Sequence, residues 1–193
     1  MSKGINILLD RTPRLSNLVL IGMPGSGKST VGVCLAKRTA RDFVDTDLLI
    51  QISEKRKLQA IVDTDGYMAL RKIEESILLD LRVQNHVIAT GGSAVYSERA
   101  MSHLKADGLA IFIDVDLAQL EARIHDYGTR GLAKRPDQSL ADLFQERCGL
   151  YRQYADITIA CTAGMTQEDV CARIVEATRR FDGRADGTWS ALG

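Results

Sequence analysis

No apolar run in this 193-residue chain approaches the roughly 20 residues that a membrane-spanning helix needs, so no such helix is expected in it. The N-terminal segment MSKGINILLDRTPRLS has only a short apolar piece before Asp10 and Arg11, too little for a secretory leader, and a cytoplasmic location is expected. Net charge is lacking too. Lysine plus arginine equal aspartate plus glutamate at 25 each, so no general attraction to nucleic acid or to a membrane surface is expected, and basic residues must act locally. The four cysteines, Cys34, Cys148, Cys161 and Cys171, form no CxxC pair and no zinc-ligand spacing, as expected of reduced structural thiols. No internal repeat or heptad pattern is present, which leaves a monomer as the expectation. His86, His103 and His125 lie in no motif and are given no role.

The length suits one well-buried core and is too short for two ordinary domains, so residues 1–193 are expected to form a single domain. Apolar runs of strand length alternate with amphipathic stretches of helix length, the pattern of an α/β protein whose parallel sheet is covered by helices. Five strands are predicted: Asn17–Ile21, Phe43–Val44, His86–Thr90, Leu109–Val115 and Asp156–Ala160. Helices are predicted over Lys28–Thr39, Leu48–Lys55, Met68–Leu81, Ser97–Lys105, Leu117–His125, Leu140–Tyr151 and Gln167–Arg180. Two regions break the alternation. Residues 126–139, DYGTRGLAKRPDQS, are basic, glycine-bearing and without an apolar face, and read as a mobile loop. Residues 181–193 hold no sustained period and are expected to fray, which puts the core at about 17–180.

The stretch GMPGSGKST, Gly22 to Thr30, fits G-x-x-x-x-G-K-[ST] through Ser29, follows an apolar strand and opens a helical pattern, as a phosphate-binding loop requires. Gly25 and Gly27 let successive backbone N–H groups turn toward phosphates, and the helix N-terminus adds its positive end. Lys28 would reach the outer phosphate oxygens and the Ser29 hydroxyl would serve a magnesium ion, with Met23, Pro24 and Ser26 completing the loop. Nucleoside triphosphate binding follows.

A GTPase would need an N-K-x-D segment after a later strand, and the sequence has none; Asp63–Gly66 matches D-x-x-G but lies between helical patterns. A mechanical ATPase would close an apolar strand with an acidic pair, where Ile111–Asp114 offers one acid that also reads as a cap for the following helix. The better acidic candidate is FVDTD. There Asp45 and Asp47 stand two apart, on one face if the chain is extended, and can divide their labour between metal and substrate. The alternative is a turn acid followed by a helix N-cap before Leu48.

With GMPGSGKST, FVDTD, LRKIEES, ATGGSAV and ERCGLY in this order, the chain resembles the shikimate kinases from about Leu18 to Arg180. That resemblance implies a three-layer α/β/α P-loop kinase fold with a central five-stranded parallel sheet and residues 126–139 as a mobile lid. It implies ATP as co-substrate with Mg2+, the metal held by Ser29 and Asp45, and Asp47 binding and activating the acceptor hydroxyl. Arg71 and Arg147 match the arginines that clamp the acceptor's carboxylate, and Glu74 matches the acid that orients Arg71. Without the resemblance, Arg71 and Glu74 read as an ordinary pair on a helix surface.

Gly91 and Gly92 match the glycine loop that lets the acceptor ring come close, with Ser93 where the family usually has a third glycine. Arg130 matches the lid arginine that reaches the transferring phosphoryl group, with Lys134 and Arg135 as neighbouring alternatives. Arg-Gly-Leu replaces the commoner Arg-Pro-Leu there, which suggests a looser lid. Arg123 resembles the residue that packs on adenine. The implied activity is transfer of the terminal phosphoryl group of ATP to the 3-hydroxyl of shikimate, in aromatic amino-acid biosynthesis. Two other readings stay open: a kinase of another small polyol or hydroxy acid such as quinate or gluconate, and a nucleotide-responsive binding module without phosphoryl transfer.

Overall fold

Asn17–Ile21 is buried at every position, so both of its faces must be covered, as happens to strands inside a parallel sheet with helices above and below. The computed structural model, which describes residues 16–123 and 131–185, places this strand at the sheet's centre. The five parallel strands are β1 (Asn17–Ile21), β2 (Asp42–Asp45), β3 (His86–Ala89), β4 (Gly108–Val115) and β5 (Ile157–Cys161), ordered β2-β3-β1-β4-β5. The described helices are α1 (Lys28–Thr39), α2 (Thr46–Glu54), α3 (Leu58–Asp65), α4 (Tyr67–Asp80), α5 (Glu98–Lys105), α6 (Leu117–Arg123), α7 (Leu140–Tyr154) and α8 (Gln167–Ala185).

Beyond β1 the chain first builds β2 and β3 on one side and then β4 and β5 on the other, so the order of strand addition switches sides at β1. In such sheets, ligands bind at the strands' C-terminal ends beside the switch point. The loops after β1, β2 and β3 all open there, which brings Gly22–Ser29, Asp45–Asp47 and Gly91–Ser93 together although the sequence separates them. The main core joins Leu20, Ile21, Ile111 and Phe112 of the sheet to Leu35, Tyr151 and Ile174 of the covering helices. Ile50, Ile61, Leu70 and Ala133 form a second small core, which holds α2, α3 and α4 as a cap beside the cleft.

Every predicted strand is present, and α3 is an addition. Its charged ends hide the period, yet Ile61 is fully buried and Leu58 and Val62 pack beside it. The last helix, α8, runs to Ala185, past its predicted end at Arg180. No helix among the described residues is long and apolar enough to cross a membrane.

Candidate active site

Gly25 and Gly27 adopt φ of +82° and +93°, left-handed values that cost glycine nothing, and the chain turns through them from β1 into α1. No side chain caps α1, so its first-turn N–H groups stay free for an anion. Lys28 lies against this loop and donates from Nζ to the carbonyls of Gly22 at 2.8 Å and Met23 at 3.0 Å. Burial lowers its pKa to about 8; Arg147 pushes the same way, while Asp47, Asp45 and Glu74 oppose. Ser29 and Thr30 are exposed in the cleft, and Ser26 is buried with its hydroxyl unpartnered among the described residues.

The lysine's lowered pKa yields a test. Phosphates favour the ammonium, so nucleotide binding above pH 8 must take up a proton, and affinity is expected to fall as pH rises through about 8. Calorimetry at pH 8.5 in buffers of different ionisation enthalpy should show that uptake in the wild type and none in Lys28→Met.

The extended arrangement expected for FVDTD is corrected. β2 ends at Asp45 and α2 begins at Thr46, which puts Asp47 in a helical turn where the two carboxylates no longer share a strand face. Asp45 takes the capping role, its Oδ1 accepting from the backbone N–H of Asp47 at 2.9 Å and of Leu48 at 3.4 Å. It still lines the cleft, as does Asp47, and no hydrogen bond involves its Oδ2 among the described residues. Burial raises the pKa of Asp47, Asp45 adds to that, and Lys28 and Arg147 oppose it.

Gly91 and Gly92 stand where side chains do not fit. A Cβ on Gly91 would come within 2.6 Å of Asp47 Oδ1 and closer still to Glu74 Oε1, and one on Gly92 would lie 2.8 Å from Arg147 Nη1 and from Pro24. The Gly91 N–H is already in use, donating to Thr46 Oγ1 at 3.0 Å. Thr46 is fully buried, so Thr46→Val is expected to strand that amide and cost about 1–3 kcal/mol, read as a lower unfolding midpoint in urea. Tyr151 braces the same loop, its hydroxyl donating to the Gly92 carbonyl at 2.6 Å.

Arg71 and Arg147 come together from α4 and α7, each Nη2 donating to the Ala133 carbonyl, at 3.1 and 2.9 Å. The Arg71 guanidinium lies 3.5 Å from the centre of the Tyr96 ring, a cation–π contact that holds it flat. Both Nε atoms are buried without a partner among the described residues, as suits groups awaiting an anionic ligand. The expected Arg71–Glu74 pair is absent. Glu74 instead accepts from the Ser93 hydroxyl, and burial with the nearby Asp47 raises its pKa to about 7, against Ser93, Arg147 and Lys28.

Arg130 and residues 126–130 of the expected lid lie outside the described residues. The alternatives Lys134 and Arg135 lie at the entry to α7, Lys134 Nζ on the Gln138 carbonyl at 2.9 Å and Arg135 3.5 Å from Glu146. Gly131 has φ of +61° and donates its N–H to Gln59 Oε1 at 2.6 Å, so it is docked on the start of α3 in a geometry proline cannot adopt. Arg123 is exposed and lines the cleft's outer end. Asp114 meets Arg152 at 3.4 Å, and Asp116, not Asp114, caps α6. Asp63 is on α3, which Gly66 caps, as expected of a chance match.

The cleft has a volume of about 590 Å³, well inside the range of small-molecule sites, roughly 300–1,000 Å³. A phosphate loop at one end and a pocket of paired arginines and carboxylates at the other define a P-loop small-molecule kinase. The family model for shikimate kinase matches residues 24–179. A shikimate kinase of Rippkaea orientalis is 38% identical over 164 residues, covering 83% of this chain and 87% of the relative. Among solved structures, a shikimate kinase from Acinetobacter baumannii in complex with shikimate superposes with a TM-score of 0.79 at 29% identity, covering 87% of this chain and 95% of that one. The enzyme from Aquifex aeolicus superposes at 0.72 with 33% identity, covering 84% and 96%. The chain belongs to the shikimate kinase family.

Tyr96, Thr46 and Tyr151 are parts of this site that the sequence does not announce. Tyr96 follows the glycine loop without any motif, and its role as the platform under Arg71 exists only once α4 packs beside it.

Proposed function

We propose that the protein transfers the terminal phosphoryl group of ATP to the 3-hydroxyl of shikimate, forming ADP and shikimate 3-phosphate. The observation that carries this reading is the acceptor pocket itself. Arg147, buried with an unpartnered Nε and joined to Arg71 through the Ala133 carbonyl, faces the same chamber as two carboxylates, Asp47 and Glu74. A compact molecule bearing one carboxylate and several hydroxyls complements that set: the guanidiniums take the carboxylate, and the acids take hydroxyl protons.

Lys28 would leave the Gly22 and Met23 carbonyls for the nucleotide's outer phosphates, where its charge offsets the charge moving between donor and acceptor. Asp47, its pKa raised by burial, would accept or orient the proton of the attacked hydroxyl. Magnesium would be carried mainly by the phosphates and water. Ser29 Oγ and the free Oδ2 of Asp45 are the protein groups that would hold it, and its charge would neutralise the phosphates. Arg130 would complete the charge set around the phosphoryl group, and Arg123 would lie along the adenine.

Product identity tests the reading. Incubation with ATP, magnesium and shikimate should give a new phosphomonoester in 31P NMR, coupled to the proton at C3. A product formed only with gluconate or quinate would move the acceptor assignment to those acids.

A further inference from the structure

Ser93 is buried, yet it carries a hydroxyl, so that hydroxyl must find a partner inside the cap. It donates to Glu74 Oε2 across 19 residues of sequence. The other oxygen, Oε1, is buried without a partner among the described residues, and it crowds the same point beside Gly91 as Asp47 Oδ1. A buried carboxylate oxygen without a donor is unfavourable, and an acceptor hydroxyl placed there would supply the missing hydrogen bond. Arg71 stands one helical turn from Glu74, a spacing at which an acid and an arginine usually pair. With Oε2 occupied by Ser93, Arg71 instead lies on Tyr96 and on the Ala133 carbonyl.

We infer that Ser93 is a positioning residue for the acceptor: its hydroxyl holds Glu74 off Arg71 and turns Oε1 toward the space beside Gly91 and Asp47, ready for a substrate hydroxyl. This rests on the reading of the site as a kinase of a carboxylated polyol. The ionisable groups facing Glu74 are Asp47 from α2, Lys28 from α1 and Arg147 from α7, with Arg71 on its own helix. Of these, Asp47 favours the protonated acid and the cations Lys28 and Arg147 favour the carboxylate; the Ser93 hydroxyl also favours the carboxylate.

The test is Ser93→Ala in the full chain, assayed by shikimate-dependent ADP release from pH 5 to 9. The shikimate KM is expected to rise about tenfold, with kcat within about threefold and the ATP KM unchanged. Because the lost hydroxyl favoured the carboxylate, the acid limb of kcat/KM for shikimate should move upward by about one pH unit. In a Glu74→Gln background the same substitution should add less than about a twofold change, since a positioning role ends when its target is gone.

The pair also has a readout that needs no substrate. The carboxyl 13C signal of Glu74 in the ligand-free protein should titrate at a higher pH in Ser93→Ala than in the wild type. An unmoved Glu74 midpoint, or an unmoved shikimate KM and acid limb in an active enzyme, would overturn the assignment. A wild type that shikimate does not stimulate would overturn the functional reading instead, and the Glu74 midpoint would then decide the pair by itself.

Discussion

Lys28→Ala is expected to lower kcat about a thousandfold with any acceptor, because it removes the one phosphate-loop side chain whose charge can follow the phosphoryl group. The structure adds a second consequence that opposes the first. Burial holds the lysine's pKa at about 8 against an ordinary 10.5, so the ammonium is harder to keep in the folded state than in the unfolded one. That penalty is complete below pH 8 and fades as pH rises toward 10.5. Lys28→Met, which keeps the apolar stem, should therefore raise the stability of the ligand-free protein at pH 7 by up to about 3 kcal/mol. Urea unfolding at pH 7 and pH 10 separates this from repacking, since the gain should shrink at the higher pH. Stability lost at both pH values would mean that the lysine's contacts with Gly22 and Met23 outweigh its desolvation.

Arg147→Met should produce the second large effect, on the acceptor alone. Arg147 is 1% exposed, receives no carboxylate partner among the described residues, and spends one of its nitrogens on the Ala133 carbonyl. A guanidinium kept this way is a costly element of a fold whose return comes when an anion arrives. The variant is expected to raise the shikimate KM at least a hundredfold and leave the ATP KM within about threefold. Its ligand-free melting temperature should rise by a few degrees, and shikimate, which should stabilise the wild type, should no longer shift it. An unchanged shikimate KM would remove Arg147 from the carboxylate site.

The parts legible from sequence are those in which local chemistry and final role coincide. GMPGSGKS has the same glycines for its left-handed turns and for its anion cradle, so its context defines both the fold at that point and the ligand class. The strands of the sheet interior are legible for a similar reason: burial on both faces forces continuous apolar runs such as NLVLI. FVDTD shows the limit. Its carboxylates are recognisable, but whether residue 46 continues a strand or starts a helix depends on Asp45 capping the backbone, an event that outcompetes the extended reading.

In the proposed acceptor pocket the individual residues are legible in the sequence, and their pairing is not. Arg71 and Glu74 sit at the spacing of a helical ion pair, yet tertiary contacts with Ser93, Tyr96 and Ala133 separate them. No local rule contains those contacts, because they join elements brought together by the sheet's order. Gly131 likewise carries its meaning in its docking on α3, where its N–H and positive φ are both used.

The most direct test of the account is ADP release by the purified protein with magnesium and ATP, compared without acceptor and with shikimate, quinate, gluconate or AMP. The account predicts a strong stimulation by shikimate, with the other acceptors close to the acceptor-free rate. Stimulation by one of the others and none by shikimate, or ATP binding with no acceptor-dependent turnover at all, would contradict it.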